Sequence, residues 1–484
     1  MTGGSGHLFV DTCGEFWDSN CRTVALWVIC ILLGVLAVAV LGTATGVNGT
    51  AADGGAGVDG EAAPQSPDDE PNATYVYGEE VLDGFHTVSD VQATPDGGMI
   101  ALEITAGEPP ETTVVRFDDA DDVVGQETVT GNLQAVERVD EDAYVAIGGR
   151  GEDVLVVRIG TDGAVEWART YGGEELDAAT GVASAPDGDA YVLASTNSFG
   201  AETSDLWVLR VTDDGEVEWE RRIEHETWTA FPKGEQLDDG SLIAAIRTKR
   251  SMDKEVDGDQ NISVVRLTPE GEVAWRTLVS GPGPPADKEE VFGVVRAHGD
   301  GVLMVGTSNS GHDRWEPDFW AARVSSGGDL IWQRQYDSET QDLASSVVRT
   351  GDGYVLAGAS ENEEESAAGM LVAIEADGTE RFRKVGTYRD ELDELFHGMG
   401  WARDGRLLVT GTTFNREQQR SQREILALGG EFSQLEPNPS TWRAQRASSG
   451  DVEPASADLL LYGAAAVSTG ALFLPYGLRR FRRR

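Results

Sequence analysis

The sequence predicts an all-β chain, a β-propeller of about seven four-stranded blades whose N-terminal strand closes the ring, flanked by two transmembrane helices. Three observations carry this reading. A tight turn followed by an apolar strand recurs seven times, a β-hairpin ending in an aromatic residue follows most of these turns, and two long uncharged apolar stretches lie outside the repeats, one towards each end.

The turns open DGGMIALEI at Asp96, EDAYVAIGG at Glu141, DGDAYVLAS at Asp187, DGSLIAAIR at Asp239, DGVLMVGTS at Asp300, DGYVLAGAS at Asp352 and DGRLLVTGT at Asp404. Asp-Gly supplies a positive-φ turn position, and an apolar run with small residues suits a strand buried on both faces. The hairpins LVVRIGTDGAVEW, LWVLRVTDDGEVEW, SVVRLTPEGEVAW and FWAARVSSGGDLIW end at Trp167, Trp219, Trp275 and Trp332, and LVAIEADGTERF ends at Phe382. Units of roughly fifty to fifty-seven residues, each with room for about four short strands, are the size of propeller blades. The first and last units are degenerate. TTVVRFDDADDVV reaches Val124 where the aromatic is expected, and REILALGGEF breaks off near Phe432, short of an outermost strand. The missing strand is expected at the other end of the domain, because TYVYGEEVLD from Thr74 matches RTYGGEELD from Arg169. Closing the ring this way removes the edges that an open sheet would present.

These motifs resemble the tryptophan-docking propeller repeats of the quinoprotein-like superfamily, which read D-G-x-x-x-W-x-x-x-Y-G-G and then D-G-G-Y-x-x-A-G. Trp167, Tyr171, Gly172 and Gly173 carry the resemblance, as do Trp332 with Tyr336, and Asp352, Gly353, Tyr354, Ala357 and Gly358. The resemblance implies a propeller over 74–434 and says little about function, since propellers host many unrelated activities. It also implies an alternative, a pyrroloquinoline-quinone oxidoreductase of the cell surface. Quinone-binding members carry a longer docking motif and a vicinal cysteine pair, and this chain has neither in its repeats.

The apolar stretch 24–47 is long enough to span a bilayer core, which takes about 20 residues, and is expected to be a retained anchor or an uncleaved signal anchor following a short cytoplasmic N-terminus, 1–23, with the h-region of a cleaved signal peptide as the alternative. The second stretch, 458–478, is followed by RRFRRR at 479–484. Arginines directly after an apolar span stay on the cytoplasmic side, so the C-terminus is expected in the cytoplasm and the region between the spans outside the cell. Acidic, Gly- and Pro-rich segments at 48–73 and 435–457 read as disordered linkers. Cys13, Cys21 and Cys30 precede or lie within the first span, so the ectodomain has no thiol for a disulfide or a metal. Asn48, Asn72 and Asn261 head glycosylation triplets that fit an outside location.

With 84 acidic and 38 basic residues the 484-residue chain carries a net charge of −46, which argues against nucleic acid as a partner. Only five basic residues are lysines: Lys233, Lys249, Lys254, Lys288 and Lys384. Dense carboxylates with scarce lysine resemble halophilic archaeal cell-surface proteins, for which high salt screens self-repulsion.

No residue stands out as catalytic, cofactor-binding or metal-binding. Trp167, Trp219, Trp275, Trp332 and Phe382 fall once per repeat and read as structural contacts between blades. Arg116, Arg158, Arg210, Arg266 and Arg323 recur before the hairpin turn and read as bridges between strands or blades. Asp177, Glu290, Asp342 and Glu394 each precede an Asp-Gly turn by the same interval and read as loop caps rather than a ring of channel charges. The histidines lack zinc-site spacing, and no nucleophile elbow, Walker loop or dinucleotide fingerprint is present. The expected role is binding or scaffolding of a surface protein, glycan or envelope component at a propeller face carrying the irregular insertions Thr248 to Asn261 and Ser308 to Asp318.

Overall fold

The computed structural model describes residues 73–77, 86–428 and 444–445, apart from position 106 and the segments 226–227, 250–259, 282–288, 310–316, 337–340, 362–366, 387–392, 403–404 and 416–419. Seven antiparallel sheets follow one another along the chain, six of them four-stranded in sequence order. The result is the expected seven-blade propeller. The innermost strands are His86–Ala93, Asn132–Arg138, Asp177–Ser184, Trp228–Gln236, Glu289–Arg296, Asp342–Arg349 and Asp393–Trp401.

The second strand of each blade is apolar on both faces because a neighbouring blade covers each face. In Ala143–Arg150, the residues from Ala143 to Gly148 are buried. Seven apolar clusters result, one at each junction between neighbours; that between the second and third blades joins Val145 and Ile147 to Val192 and Trp207. Burial of one such aliphatic side chain contributes roughly 1.5–3 kcal/mol, so the junctions carry the stability that a cysteine-free ring needs. Outermost strands alternate instead. Val165–Tyr171 is exposed at every second residue, with one face on a blade and the other in water.

The ring closes through the N-terminus as expected. Strand Ala73–Tyr77 pairs antiparallel with Arg420–Leu428, setting Ala73 opposite Leu428 and Thr74 opposite Ala427. Side chains secure the same junction: Thr87 Oγ1 lies 2.9 Å from Thr412 Oγ1, and Arg406 makes a bidentate pair with Asp121 at 2.7 and 3.0 Å. The last blade also gains a fifth member. Ala444–Gln445, inside the segment expected to be a disordered linker, pairs in parallel with Ala73 and Thr74, which satisfies part of the edge that the closing strand would otherwise leave open.

Two local departures from expectation have steric causes. Gly97, Gly188, Gly240, Gly301 and Gly405 adopt positive φ in their Asp-Gly turns, but Gly353 does not. It opens a strand where a Cβ would lie 1.9 Å from the Ile374 carbonyl oxygen, so a close backbone approach excludes a side chain there. In the first blade the residue facing Arg116 is Gly125, not Val124. Val124 points outward, 59% exposed.

No helix among the described residues is long and apolar enough to cross a membrane. Both expected spans, 24–47 and 458–478, lie outside the described residues, as do Asn48, Asn72 and the basic tail.

Candidate functional site: the axial channel

All seven innermost strands share a feature that aims side chains at the axis. Each breaks register with its neighbour in its first half, at Val88/Asp90, Leu133/Ala135, Ala179/Gly181, Ala230/Lys233, Val291/Gly293, Ala344/Ser346 and Phe396/Gly398. A bulge bends a strand and re-aims the side chains beyond it. The residues after the bulges line a cavity of about 430 Å³ to which all seven innermost strands contribute.

Five charged side chains line it: Asp90, Glu137, Lys233, Glu235 and Arg349. Asp90 bridges two blades, its carboxylate accepting the Val91 and Val136 amide N–H groups, both at 2.9 Å. Burial outweighs those bonds and the nearby Lys233 charge and lifts its pKa to about 6. Lys233 donates from Nζ to the Thr180 carbonyl oxygen of the preceding blade at 2.5 Å. Desolvation lowers its pKa to about 8, with the Asp90 charge opposing. Burial raises Glu235 to about 7 even though Arg296 and Arg349 pull it down; the Arg296 Nε is 3.9 Å from its carboxylate. Glu137 is pushed well above the ordinary carboxylate range, first by burial and then by the like charges of Glu235 and Asp90. Water reaches these groups along the axis, so Asp90, Glu137, Lys233 and Glu235 are each half-buried at the surface while protein surrounds them laterally. Such a channel can hold protons near neutral pH and attract cations.

The residues singled out in the sequence lie elsewhere, at the blade junctions. Trp167, Trp219 and Trp275 each donate Nε1–H to a carbonyl oxygen of the next blade, that of Asp213, Pro269 and Ser326, at 2.8 to 2.9 Å. The ring rests on a glycine there: a Cβ on Gly271 would lie 2.8 Å from Trp219, and one on Gly378 would lie 2.8 Å from Trp332. Phe382 packs into the junction of the sixth and seventh blades. Arg158, Arg210, Arg266 and Arg323 stand directly opposite Trp167, Trp219, Trp275 and Trp332 in the same hairpins. Arg158 pairs with Glu166 of the facing strand at 3.0 Å, and Arg210 and Arg266 reach back to the turns of their own blades. Arg210 pairs with Asp189 at 2.8 Å, and Arg266 pairs with Asp239 at 2.5 Å while donating to the Ser326 carbonyl oxygen at 2.9 Å. Arg116 binds Asp96 and donates to the Thr161 carbonyl oxygen of the second blade at 2.7 Å.

The recurrent carboxylates do not form a channel ring. Asp177 is buried at the start of its strand, where it accepts the Gly173 N–H at 2.7 Å and the Ser198 hydroxyl at 2.9 Å, together with the Thr196 hydroxyl. Asp342 and Glu394 are buried at matching places. In the fifth blade the buried counterpart is Glu289, facing Ser308. Glu290, the residue named from spacing, instead pairs with Arg247 of the fourth blade; the bulge register, not the distance to the turn, decides which neighbour points inward. Asn261 begins a strand, half-buried, with its Oδ1 accepting the Ser280 hydroxyl at 2.5 Å.

No family model matches the chain, and no curated protein matches it. Its fold is similar to several solved structures. A structure of BBS1N in complex with ARL6DN shares 11% identity over 74% of this chain and 98% of that one, with a TM-score of 0.45. One of two structurally analysed prolyl endopeptidases shares 14% identity over 75% and 49% of the respective chains, at 0.45. The Pyrococcus horikoshii acylaminoacyl peptidase shares 11% over 72% and 52%, at 0.43. The chain thus spans about half the length of these two peptidases.

Sequence reasoning missed the channel group. Of the five lysines, Lys233 falls inside a strand, but so does Lys384, so placement in a strand does not single it out. The two long insertions do share a face, as expected. Both join second to third strands, anchored by the pairs Thr248 with Asn261 and Ser308 with Asp318, so both leave from the same end of the ring. The segments 250–259 and 310–316 lie outside the described residues.

Proposed function

We propose that the chain is a non-catalytic recognition propeller, held at the outer surface of a membrane by the spans 24–47 and 458–478 in a high-salt setting, with its C-terminus in the cytoplasm. It binds a surface protein, glycan or envelope component through the end of the ring that carries the insertions. The observation that supports this reading is the contrast between a regular seven-blade frame and two long irregular connections anchored side by side on the fourth and fifth blades. Rigid scaffolds that display variable loops are the usual arrangement for recognition.

The test replaces 250–259 and 310–316 with Gly-Ser segments of equal length in the full chain, with photo-crosslinkers placed on each end of the ring. Cross-linked surface species are expected from the insertion end in intact cells and are expected to vanish in the replaced chain while its melting temperature holds. An unchanged cross-linking pattern, or a middle region that protease reaches only in broken cells, would overturn the proposal.

A further inference from the structure

Eight large hydrophobic side chains are exposed among the described residues, and seven of them, such as Val124, Leu278 and Ile331, lie on the outermost strands of blades. Phe199 is the exception. It is the one aromatic of the eight, 50% exposed, and it lies in the connection between the second and third strands of the third blade, Ala190–Thr196 and Asp205–Val211. That connection leaves the ring at the same end as the two long insertions, since each of them also joins a second strand to a third.

The backbone holds this ring in an unfavourable conformation. Phe199 and Gly200 form the centre of a turn closed by the Ala201 N–H on the Ser198 carbonyl oxygen at 3.1 Å, with φ values of 55° and 80°. Asparagine, aspartate and glycine suit such positions, whereas a bulky side chain there is strained. The other non-glycine residues with positive φ are Asp121 and Asp187, of a type that visits this region readily, and Phe231, whose ring is engaged by Arg247 at 4.7 Å. The turn is fixed on both sides. Ser198 donates to the Asp177 carboxylate at 2.9 Å and accepts the Glu175 N–H at 3.0 Å, while Ser204 donates to the Thr229 carbonyl oxygen of the fourth blade at 3.0 Å.

Interior packing does not account for the strain. The Phe199 ring lies 5.2 Å from that of Trp207 at 56°, but Trp207 is anchored on its own by an Nε1–H bond to Glu220 at 3.0 Å. Glycines flank the ring: a Cβ on Gly173 would lie 3.3 Å from its Cε1, and one on Gly200 would meet nothing within 4 Å. A rigid aromatic left half open in this way is a ready anchor for a partner, because its ordering cost is already met in the fold. The charge around it selects that partner. Glu174, beside Gly173, Glu175 and Glu202 are exposed, and among the described residues their carboxylates have neither a hydrogen bond nor an ion pair. Arg222, which faces Trp207 across the hairpin, is held by Asp205 at 3.1 Å and Glu224 at 2.8 Å, and Arg150 donates to the Thr130 carbonyl oxygen at 2.7 Å. A basic side chain complements both features, since its cation is attracted to an aromatic face while its N–H groups reach carboxylates.

We propose that the Phe199 turn is a docking surface for a basic segment of a partner protein, which lays an arginine or lysine side chain on the Phe199 ring within reach of Glu174, Glu175 and Glu202. This surface rests on the recognition reading above and gives the partner of that face its chemistry.

The test places a photo-crosslinker at the exposed Thr203 of the full chain in intact cells and sequences the linked segments. They are expected to carry an arginine or lysine at the link. Phe199→Leu keeps an apolar cover over Trp207 and removes the aromatic face, and it is expected to lower the yield about two- to thirtyfold. Changing the basic residue of the partner to glutamine is expected to give a similar loss, and the two changes together less than the product of both. Phe199→Asn is expected to lose the link yet melt no lower than the parent, because asparagine takes positive φ readily. Linked segments without a basic side chain, a linked glycan, an unchanged yield in Phe199→Leu, fully additive losses, or a Phe199→Asn chain that melts well below the parent would overturn the proposal. No link at Thr203 while photo-crosslinkers elsewhere on the insertion end still capture partners would overturn it and leave the recognition reading standing; no link anywhere on that end would remove both.

Discussion

Three blade junctions are joints of three residues: an outer-strand tryptophan, Trp219, Trp275 or Trp332, the arginine opposite it in the same hairpin, and a glycine of the next blade, Gly271, Gly328 or Gly378, that leaves room for the indole. Trp275 illustrates the balance of forces. Its ring joins the cluster containing Val264, Val302 and Trp320, and its N–H meets the Ser326 carbonyl oxygen at 2.8 Å, which Arg266 also contacts at 2.9 Å. Trp275→Ala removes the ring and the bond and is expected to cost about 3 kcal/mol, at the low end for large aromatics because the ring is only partly buried. Trp275→Phe keeps most of the packing and is expected to cost about 1 kcal/mol, the net value of a hydrogen bond. Guanidinium titration at constant salt measures both, and equal losses would mean that packing contributes nothing at this joint. Recurrence made these residues legible in the sequence. Asp90, Glu137, Lys233 and Glu235 were not legible, since a one-residue change of register turns a side chain from a blade face to the axis.

At the scale of the strand, that register change is the bulge in every innermost strand, and no local composition marks it. Five bulges skip a polar residue, Ser89, Gln134, Thr180, Ser345 and His397, whereas the fourth and fifth blades skip Phe231 with Pro232 and Phe292, so residue type alone does not mark the bulge. The closing strand is the opposite case. The match of its tyrosine motif to an internal repeat identified it, and only the added pairing with Ala444 and Gln445 went unforeseen. Replacing 73–77 with a Gly-Ser segment of equal length in the full chain leaves the Arg420–Leu428 strand with an open ladder. Two cross-junction contacts survive, Thr87 to Thr412 and Arg406 to Asp121. The variant is therefore expected to stay folded but to melt several degrees lower and less cooperatively, with tryptophan fluorescence and far-ultraviolet dichroism no longer coinciding. Coincident transitions at the parent temperature would show that closure contributes nothing to the ring.

For the molecule as a whole, a net charge of −46 sets the terms on which the ring exists. The basic residues are largely committed to particular partners: Arg116 to Asp96, Arg210 to Asp189, Arg381 to Asp352 and Arg406 to Asp121. Carboxylates such as Asp119, Glu174, Glu202 and Glu270 are exposed and contribute mainly to self-repulsion, which salt screens over about 10 Å at 0.1 M and about 3 Å at 1 M. Melting temperature is accordingly expected to rise steeply with KCl and to level off near molar concentration. Converting those four carboxylates to amides together leaves a charge of −42 and is expected to move the rise to lower salt without raising the plateau. Asp96→Asn behaves differently, since it strips the partner from an arginine that also fastens the first blade to the second; it is expected to lower the melting temperature at every salt concentration. Thermal scans of the three chains across a KCl series separate the two effects, because repulsion depends on ionic strength while a buried arginine left without its carboxylate is penalised at all of them. A melting temperature that falls as KCl is added would show that short-range pairs, not diffuse repulsion, dominate the electrostatics of the ring.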